Sequence, residues 1–554
     1  MKQNINIFSD FNTEILYNFL SQKLDKSLFK INKPIFGFFY ENSFKFIKNK
    51  KKSHLNIVWT KVDSVINSFN KILDYEKVNH KALIKETDIY INLIKQLSLN
   101  SDHVLVFSWS LPQLSKGKFL NDFTNDAGIT KNLNILNKRV ADSLKKYKNI
   151  SFLNTNYITD KNDADYNPKL WFLAKIPFTQ KIFELASNEI FRTLQAIKGQ
   201  FIKLIVVDLD NTLWGGNVGD LGWQKINLGG HNALGEAFVE FQKKLRALNN
   251  LGVQLAISSK NEESKALAAI TKNKNMILKQ KNFISWKINW EDKAKNIKEI
   301  LKELNLSAEN VLFLDDNLRE RMRVKKGIKG INVLDLSDGP FFYASILMNS
   351  GNFDFSRNTT IEDSKRSKYY KDNSKRIKLK EKFISEENWL RSLNTKVSFK
   401  KLDSSNQDRI LQLILRVNQM NLTTRRLSLK NLLDLQKKPN NYLMCCDLKD
   451  RFGEMGIIGF FNLEIRNNIA VVKDFLLSCR AFGRDIEKSM CIKMIQLVKS
   501  KKVRIIELNY IKTEKNLPCL NFLKKNFKSF KKNKFILSDF NNFKLPRHLT
   551  ILKS

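Results

Sequence analysis

Two hydrophobic periods alternate along the chain. His54–Trp59 and His103–Trp109 are continuous apolar runs of strand length, and Ala82–Leu99 carries apolar residues at helical spacing. Strand, helix and strand in that order predict an α/β unit. Glu184–Lys198 reads as a helix closed by Gly199, the position after a helix end where a left-handed residue is favoured. Leu204–Asp210 is an apolar strand ending in two acids, followed by an amphipathic helix, Gly235–Asn250, stopped near Gly252. Val253–Ser259, Val311–Asp316 and Ile331–Leu336 read as further strands, with a helix at Trp290–Asn305. Apolar strands alternating with helices predict a doubly wound parallel sheet, whose ligands sit beyond the carboxyl ends of the strands.

The pattern breaks at residues 357–390, where Arg357, Glu362, Asp363, Lys365, Arg366 and Lys368 lie among few apolar positions. This predicts a charged helical linker. Beyond Trp389 an α+β pattern resumes, with helices at Ser404–Met420 and Asp485–Ser500. Strands are expected at Tyr442–Cys446, Gly456–Leu463, Ala470–Leu477 and Val503–Tyr510.

A chain of 554 residues with 42% hydrophobic residues is too long for one core and too apolar for disorder. The formal net charge is +41, from 96 Lys and Arg against 55 Asp and Glu. Such an excess suits nucleic acid or an anionic membrane. Here the Lys residues are spread evenly with Asn, Ile and Phe, so a solvated basic surface is expected and nucleic acid is not. The five Cys all follow residue 440, without zinc spacing, which excludes a disulfide framework. No stretch is apolar for long enough to span a bilayer, and the start carries no signal-peptide pattern, so a cytoplasmic protein is expected.

Acids at the ends of strands carry the chemistry. Asp208-Leu-Asp210-Asn211-Thr212, Ser258-Ser259-Lys260-Asn261 and Asp315-Asp316-Asn317 each follow an apolar run, and Trp290-Glu-Asp-Lys293 lies between the last two. A single acidic strand end would read as a helix cap. Several carboxylates, a hydroxyl and a Lys delivered to one sheet edge read as a phosphoryl-transfer site. A phosphorylated substrate and a carboxylate nucleophile repel each other, and a hard, oxygen-loving cation such as Mg²⁺ removes that repulsion. Asp208 is then the expected nucleophile and Asp210 the expected acid and base. Ser259, Thr212, Lys260 and Asn261 are expected at the phosphoryl oxygens, with Lys293 balancing their charge. Asp208, Asp210, Asp315 and Asp316 are the expected metal ligands.

These residues match, in order, the DxDxT signature and later motifs of the haloacid-dehalogenase superfamily. Asp208–Gly216, Gly235–Gln242, Ser259–Asn261, Ile288–Lys293 and Phe313–Asn317 together resemble its FkbH-like branch. Gly215–Gly230 resembles that family's small flap, and no large inserted cap is seen, which suits a bulky or protein-tethered substrate.

Two patches mark the last third, Asn418–Arg426 and Ser478–Glu487. In the second, Arg480, Gly483 and Arg484 link a strand to a helix, a turn suited to a pyrophosphate or phosphopantetheine phosphate. With Pro518–Phe527 behind it, the region is similar to the GNAT acyltransferase fold, although Asp485 stands where Gly or Ala is usual. Cys479, beside Arg480 and Arg484, is a candidate for a transient acyl thioester. His231, after the flap, reads equally as a surface or a substrate-contacting residue.

The FkbH-like family carries an SGNH-hydrolase-like domain at its amino end. Ser9 could be its serine, but Asp165–Trp171, where an Asp-x-x-His is expected, holds no His. A Ser without its base is a poor nucleophile, so this domain is expected to bind or scaffold. The resemblance therefore implies an SGNH-like domain at 1–198, a phosphatase domain at 199–350, a linker at 351–390 and a GNAT-like domain at 391–554. It implies an enzyme that takes a glyceryl group from a phosphorylated three-carbon acyl donor and loads it onto a carrier-protein phosphopantetheine thiol. The alternatives are a phosphatase fused to an acyl-CoA-dependent N- or O-acyltransferase, and a basic binding protein with vestigial catalysis.

Overall fold

The computed structural model describes the chain except residues 1, 35–36, 113–121, 148, 160–165, 198–200, 231, 351–352, 354–371, 374, 377–378, 381, 428, 467, 514–515, 532, 542 and 553–554. His231, Asp165, Gly199 and the charges from Arg357 to Lys368 thus lie outside the described residues. The chain divides into two compact units, Met1–Leu194 and Gln195–Ser554.

The first unit is built on a parallel sheet of β1 (Gln3–Ser9), β2 (Phe29–Ile31), β3 (Ser53–Trp59), β4 (Ser101–Phe107) and β5 (Ile150–Leu153), in the order β2-β1-β3-β4-β5. Val58, Val104 and Val106 face one helical layer, and Leu55, Ile57, Leu105 and Phe107 face the other. Burial on both faces explains why these strands read as unbroken apolar runs. The strands β3 and β4 begin earlier than their apolar runs because Ser53 and Ser101 pair across the ladder and their hydroxyls bond at 3.0 Å.

The second unit holds two sheets. One is parallel, with β6 (Leu204–Val207), β7 (Gln254–Ser259), β8 (Phe283–Ile288), β9 (Val311–Leu314) and β10 (Asn332–Val333) in the order β10-β9-β6-β7-β8. Val207 stands opposite Leu314 on one side and Ile257 on the other. The register therefore delivers Asp208 and Asp315, the next residues, side by side at the carboxyl edge. The expected helix at Trp290 starts only at Lys293, because Asp292 caps it by accepting from Lys295 N at 3.0 Å. Only Asn332–Val333 of the expected edge strand at Ile331–Leu336 is formed.

The other sheet comprises β11 (Thr395–Lys401), β12 (Met420–Asn421), β13 (Asn441–Asp450), β14 (Gly453–Arg466), β15 (Ile469–Leu477), β16 (Ile505–Asn509), β17 (Lys528–Lys531), β18 (Lys534–Leu537) and β19 (Leu549–Ile551), and is mostly antiparallel. β15 and β16 run parallel but pair only over Ile469–Val472. β12 takes the place beside Leu476 and Leu477. That short strand ends the expected helix at Ser404–Met420 early, at Arg416.

Most of the charged stretch before this sheet lies outside the described residues, and its described end is docked. Arg376 is bidentate on Asp450 at 2.7 and 2.8 Å, and Leu379 and Phe383 pack on Trp389 and Leu393. No helix of the described residues is long and apolar enough to cross a membrane.

Candidate active site

Three strand ends and one helix start converge at the carboxyl edge of the β6 sheet. Lys293, the first residue of the Lys293–Leu304 helix, lies 2.9 Å from Asp208 Oδ2 and 2.7 Å from Asp315 Oδ2. All three side chains are almost fully buried. Burial disfavours the ammonium, yet the charges of Asp208 and Asp315 outweigh it and raise the Lys293 pKa. Burial, then repulsion from Asp208, pushes the Asp315 carboxyl up to about 7 against the pull of Lys293. Asp316 is raised for the same two reasons.

Asp208 Oδ1 is buried and has no hydrogen-bond partner among the described residues. A buried, unpartnered carboxylate oxygen is costly and calls for a ligand. One oxygen from each of Asp208, Asp315 and Asp316 lies within 4.8 Å of the others. An all-oxygen acidic set of this kind suits a hard divalent cation such as Mg²⁺.

Asp210 is set apart from this group. Its Oδ1 accepts from Trp214 Nε1 at 2.8 Å and Val218 N at 3.1 Å, and its Oδ2 from Asn261 Nδ2 at 2.8 Å. Burial raises its pKa against these three donors, and Asp208 adds to the rise. Asn211 takes a left-handed backbone, φ 54°, which turns the chain into the flap, and its side chain accepts from Gly216 N at 2.9 Å. The flap holds a short helix, Val218–Leu221, and closes through a bridge between Gly215 and Asn227.

Several expected phosphate contacts have other partners. Thr212 donates to Asp316 Oδ1 at 3.0 Å and accepts from Asp316 N, so it positions an acid. Asn261 is engaged by Asp210, and Lys260 Nζ lies on Glu320 at 2.8 Å. Ser259 is buried at the end of β7, where the register leaves it one residue beyond the level of Asp208. Arg321, absent from the expected set, donates to the carbonyls of Asp315 and Asp316 at 2.9 and 2.7 Å. Trp214 was missed as well. Trp214 lies within Asp208–Gly216 and Arg321 four residues beyond Asn317, but their partners are carbonyls and carboxylates set by the turns, which no spacing reveals. A cavity of about 520 Å³ opens beside Asn211 and Asp316.

The second expected site is the turn after β15. Cys479, Arg480 and Gly483 share it, Gly483 with a positive φ of 72° that favours glycine. Cys479 is half-buried, and its carbonyl accepts from Asn305 Nδ2 at 2.6 Å, which ties the turn to the carboxyl end of the Lys293 helix. Arg484 departs from the expectation. Its guanidinium is buried, 2.9 Å from Asp450 Oδ2, so it serves the interior and not a phosphate. In the first unit, Ser9 Oγ accepts from Phe11 N, while His54 bonds Asp102 and His103 bonds Ser151.

No protein-family model and no curated protein matches the chain. Among solved structures, it is similar to the N-terminal part of protein BF1531 from Bacteroides fragilis, which contains a phosphatase domain and was solved complexed with Mg. Identity is 24% and the TM-score 0.57, covering 64% of this chain and 94% of that one. A GNAT-family acetyltransferase from Staphylococcus aureus matches at 15% identity and TM-score 0.21, over 25% of this chain and 97% of its own. The PaiA N-acetyltransferase of Thermoplasma acidophilum, in complex with coenzyme A, matches at 16% and 0.20, over 25% and 96%. The first likeness speaks to fold, and the last two are too distant to support an argument.

Proposed function

We propose that the chain is an FkbH-like enzyme that performs Mg²⁺-dependent phosphoryl chemistry of the haloacid-dehalogenase type and couples it to acyl transfer. The observation that carries this reading is the buried Asp208–Lys293–Asp315 cluster, in which Asp208 Oδ1 has no hydrogen-bond partner among the described residues and one oxygen each of Asp208, Asp315 and Asp316 lies within 4.8 Å of the others. The Mg-bound phosphatase-domain structure supports it by fold.

In this reading Asp208 attacks phosphorus, and the bond from phosphorus to the leaving oxygen breaks. Asp210 gives that oxygen its proton and leaves an aspartyl-phosphate on Asp208. Asp210, now a carboxylate, takes a proton from water, whose oxygen attacks phosphorus. The Asp208–phosphorus bond then breaks, phosphate departs and both acids are restored. Asp208, Asp315 and Asp316 would hold Mg²⁺, which when bound neutralises charge on the phosphoryl oxygens. Lys293 adds a fixed positive charge from within the protein. Trp214, Val218 and Asn261 hold Asp210 in place.

The acyl half rests on the turn at Cys479–Gly483, where Gly483 takes a positive φ. In this reading residues 391–554 move a glyceryl unit from a phosphorylated three-carbon acyl donor to the phosphopantetheine thiol of a carrier protein. The second reading, acyl-CoA as donor, draws on the same turn. Phosphate release from acyl and sugar phosphates, with Mg²⁺ and with EDTA, tests the first half. Mass spectrometry of the carrier after incubation with each donor tests the second, and a glyceryl adduct that forms without CoA decides between the donors.

A further inference from the structure

Resting on the phosphoryl-transfer reading, we propose that Glu320 holds Lys260 in reserve and thereby sets how tightly the site binds a phosphate. The resting contact is an ion pair of 2.8 Å between Lys260 Nζ and Glu320 Oε1. Lys260 follows β7, and Glu320 lies in the Leu318–Gly327 helix that follows β9. These two strands are the neighbours of β6. The pair therefore joins segments on either side of the strand whose end carries Asp208. Each partner is also tied to the reacting groups through the next residue. Asn261 donates to Asp210 Oδ2 at 2.8 Å, and Arg321 donates to the carbonyls of Asp315 and Asp316 at 2.9 and 2.7 Å. Neighbouring strands lie about 4.8 Å apart, less than the reach of an extended Lys side chain. A phosphoryl group on Asp208 is then within the swing of Lys260.

The charges favour such an exchange. Lys293 is already engaged by Asp208 and Asp315, so an entering phosphate brings negative charge that a further cation must meet. The Lys260 side chain is 32% exposed, and a partly exposed ion pair is weak. The charge-assisted hydrogen bond that a phosphate oxygen offers in the more buried site is stronger. Glu320 keeps part of its counter-charge when Lys260 leaves, because Arg323 Nη1 lies 3.9 Å from the same oxygen. Glu320 Oε2 is buried and has no hydrogen-bond partner among the described residues, so these two cations carry the compensation of the carboxylate. The consequence is the reverse of that for an ordinary structural contact: loss of Glu320 strengthens the phosphate site.

The test reads the Ki of inorganic phosphate against Mg²⁺-dependent hydrolysis of acetyl phosphate, and the rise in melting temperature that inorganic phosphate gives. Glu320→Gln releases Lys260 and is expected to lower Ki and KM about fivefold, the scale of one partly exposed ion pair, with a larger thermal shift. Lys260→Gln raises Ki and KM by about the same factor. In the double variant the gain disappears, and Ki matches that of Lys260→Gln within about twofold. A Ki that Glu320→Gln leaves unchanged or raises overturns the proposal. So does a gain that persists without Lys260, which is the effect of removing a negative charge alone. Glu320→Asp, which keeps the charge and shortens the arm, stands in if the Gln variant does not fold. It too is expected to lower Ki, and an unchanged Ki there also overturns the proposal. A wild type that releases no phosphate from acetyl or sugar phosphates with Mg²⁺ removes the phosphoryl-transfer reading itself, which separates the two failures.

Discussion

Lys293 Nζ lies 2.7 Å from Asp315 Oδ2, and the same nitrogen reaches Asp208. One cation thus holds two buried carboxylates that would otherwise repel. Lys293→Met is expected to lower kcat for phosphate release by about 10²–10³, the scale for loss of a preorganised electrostatic contact. It also leaves the acids unbalanced, so Mg²⁺ should raise the melting temperature of the variant more than that of the wild type. Thermal melts with and without Mg²⁺ check this, and equal Mg²⁺ shifts would count against it.

Asp210 takes a hydrogen bond from Trp214 Nε1 at 2.8 Å. Trp214→Phe keeps an aromatic ring in the buried slot and removes the donor. We expect kcat to fall about tenfold with little change in KM, as for a lost positioning contact to a general acid. A rise in KM with constant kcat would assign Trp214 to substrate binding instead.

The gathering of these acids was legible because each follows an apolar strand, and parallel strands in register bring their ends to one edge. The pairing of Asp208 with Asp315 then follows from β6 and β9 being neighbours. The partners of Thr212, Lys260 and Asn261 were not legible. They depend on which polar atoms the turns bring within bonding distance, and Glu320 and Asp316 reach them from segments remote in the chain. Arg484 shows the same limit. A basic residue in a strand–helix turn looks available for phosphate, but the acid at the end of β13 claims it.

That acid is Asp450. Burial would raise its carboxyl, yet the Arg376 and Arg484 guanidinium groups hold it below the usual carboxylate range. Asp450→Asn leaves two buried cations without their counter-charge. A loss of about 3–5 kcal/mol is expected, the scale for breaking a buried pair. Urea unfolding followed on a probe in the β11–β19 sheet measures it. A loss near zero would show that the network is relaxed by water.

Burial pushes the Glu487 carboxyl up to about 7, so the folded chain keeps a proton there that the unfolded chain releases near its ordinary 4.5. The folded state binds more protons between these values, and stability therefore falls as pH rises through that window. Glu487→Gln removes the titration. Relative to wild type, the variant is expected to gain stability at pH 8 over pH 5 by up to about 3 kcal/mol. Urea midpoints at the two pH values test this, and a pH-independent difference would contradict it.

The central claim is that Asp208 carries the phosphoryl group. Borohydride reduces an aspartyl-phosphate to homoserine, so the most direct measurement is peptide mass spectrometry after rapid borohydride quenching of the enzyme turning over acetyl phosphate with Mg²⁺. The account predicts homoserine at position 208, absent with EDTA and absent in Asp208→Asn. Phosphate release that continues in Asp208→Asn, or homoserine at another position, would contradict it.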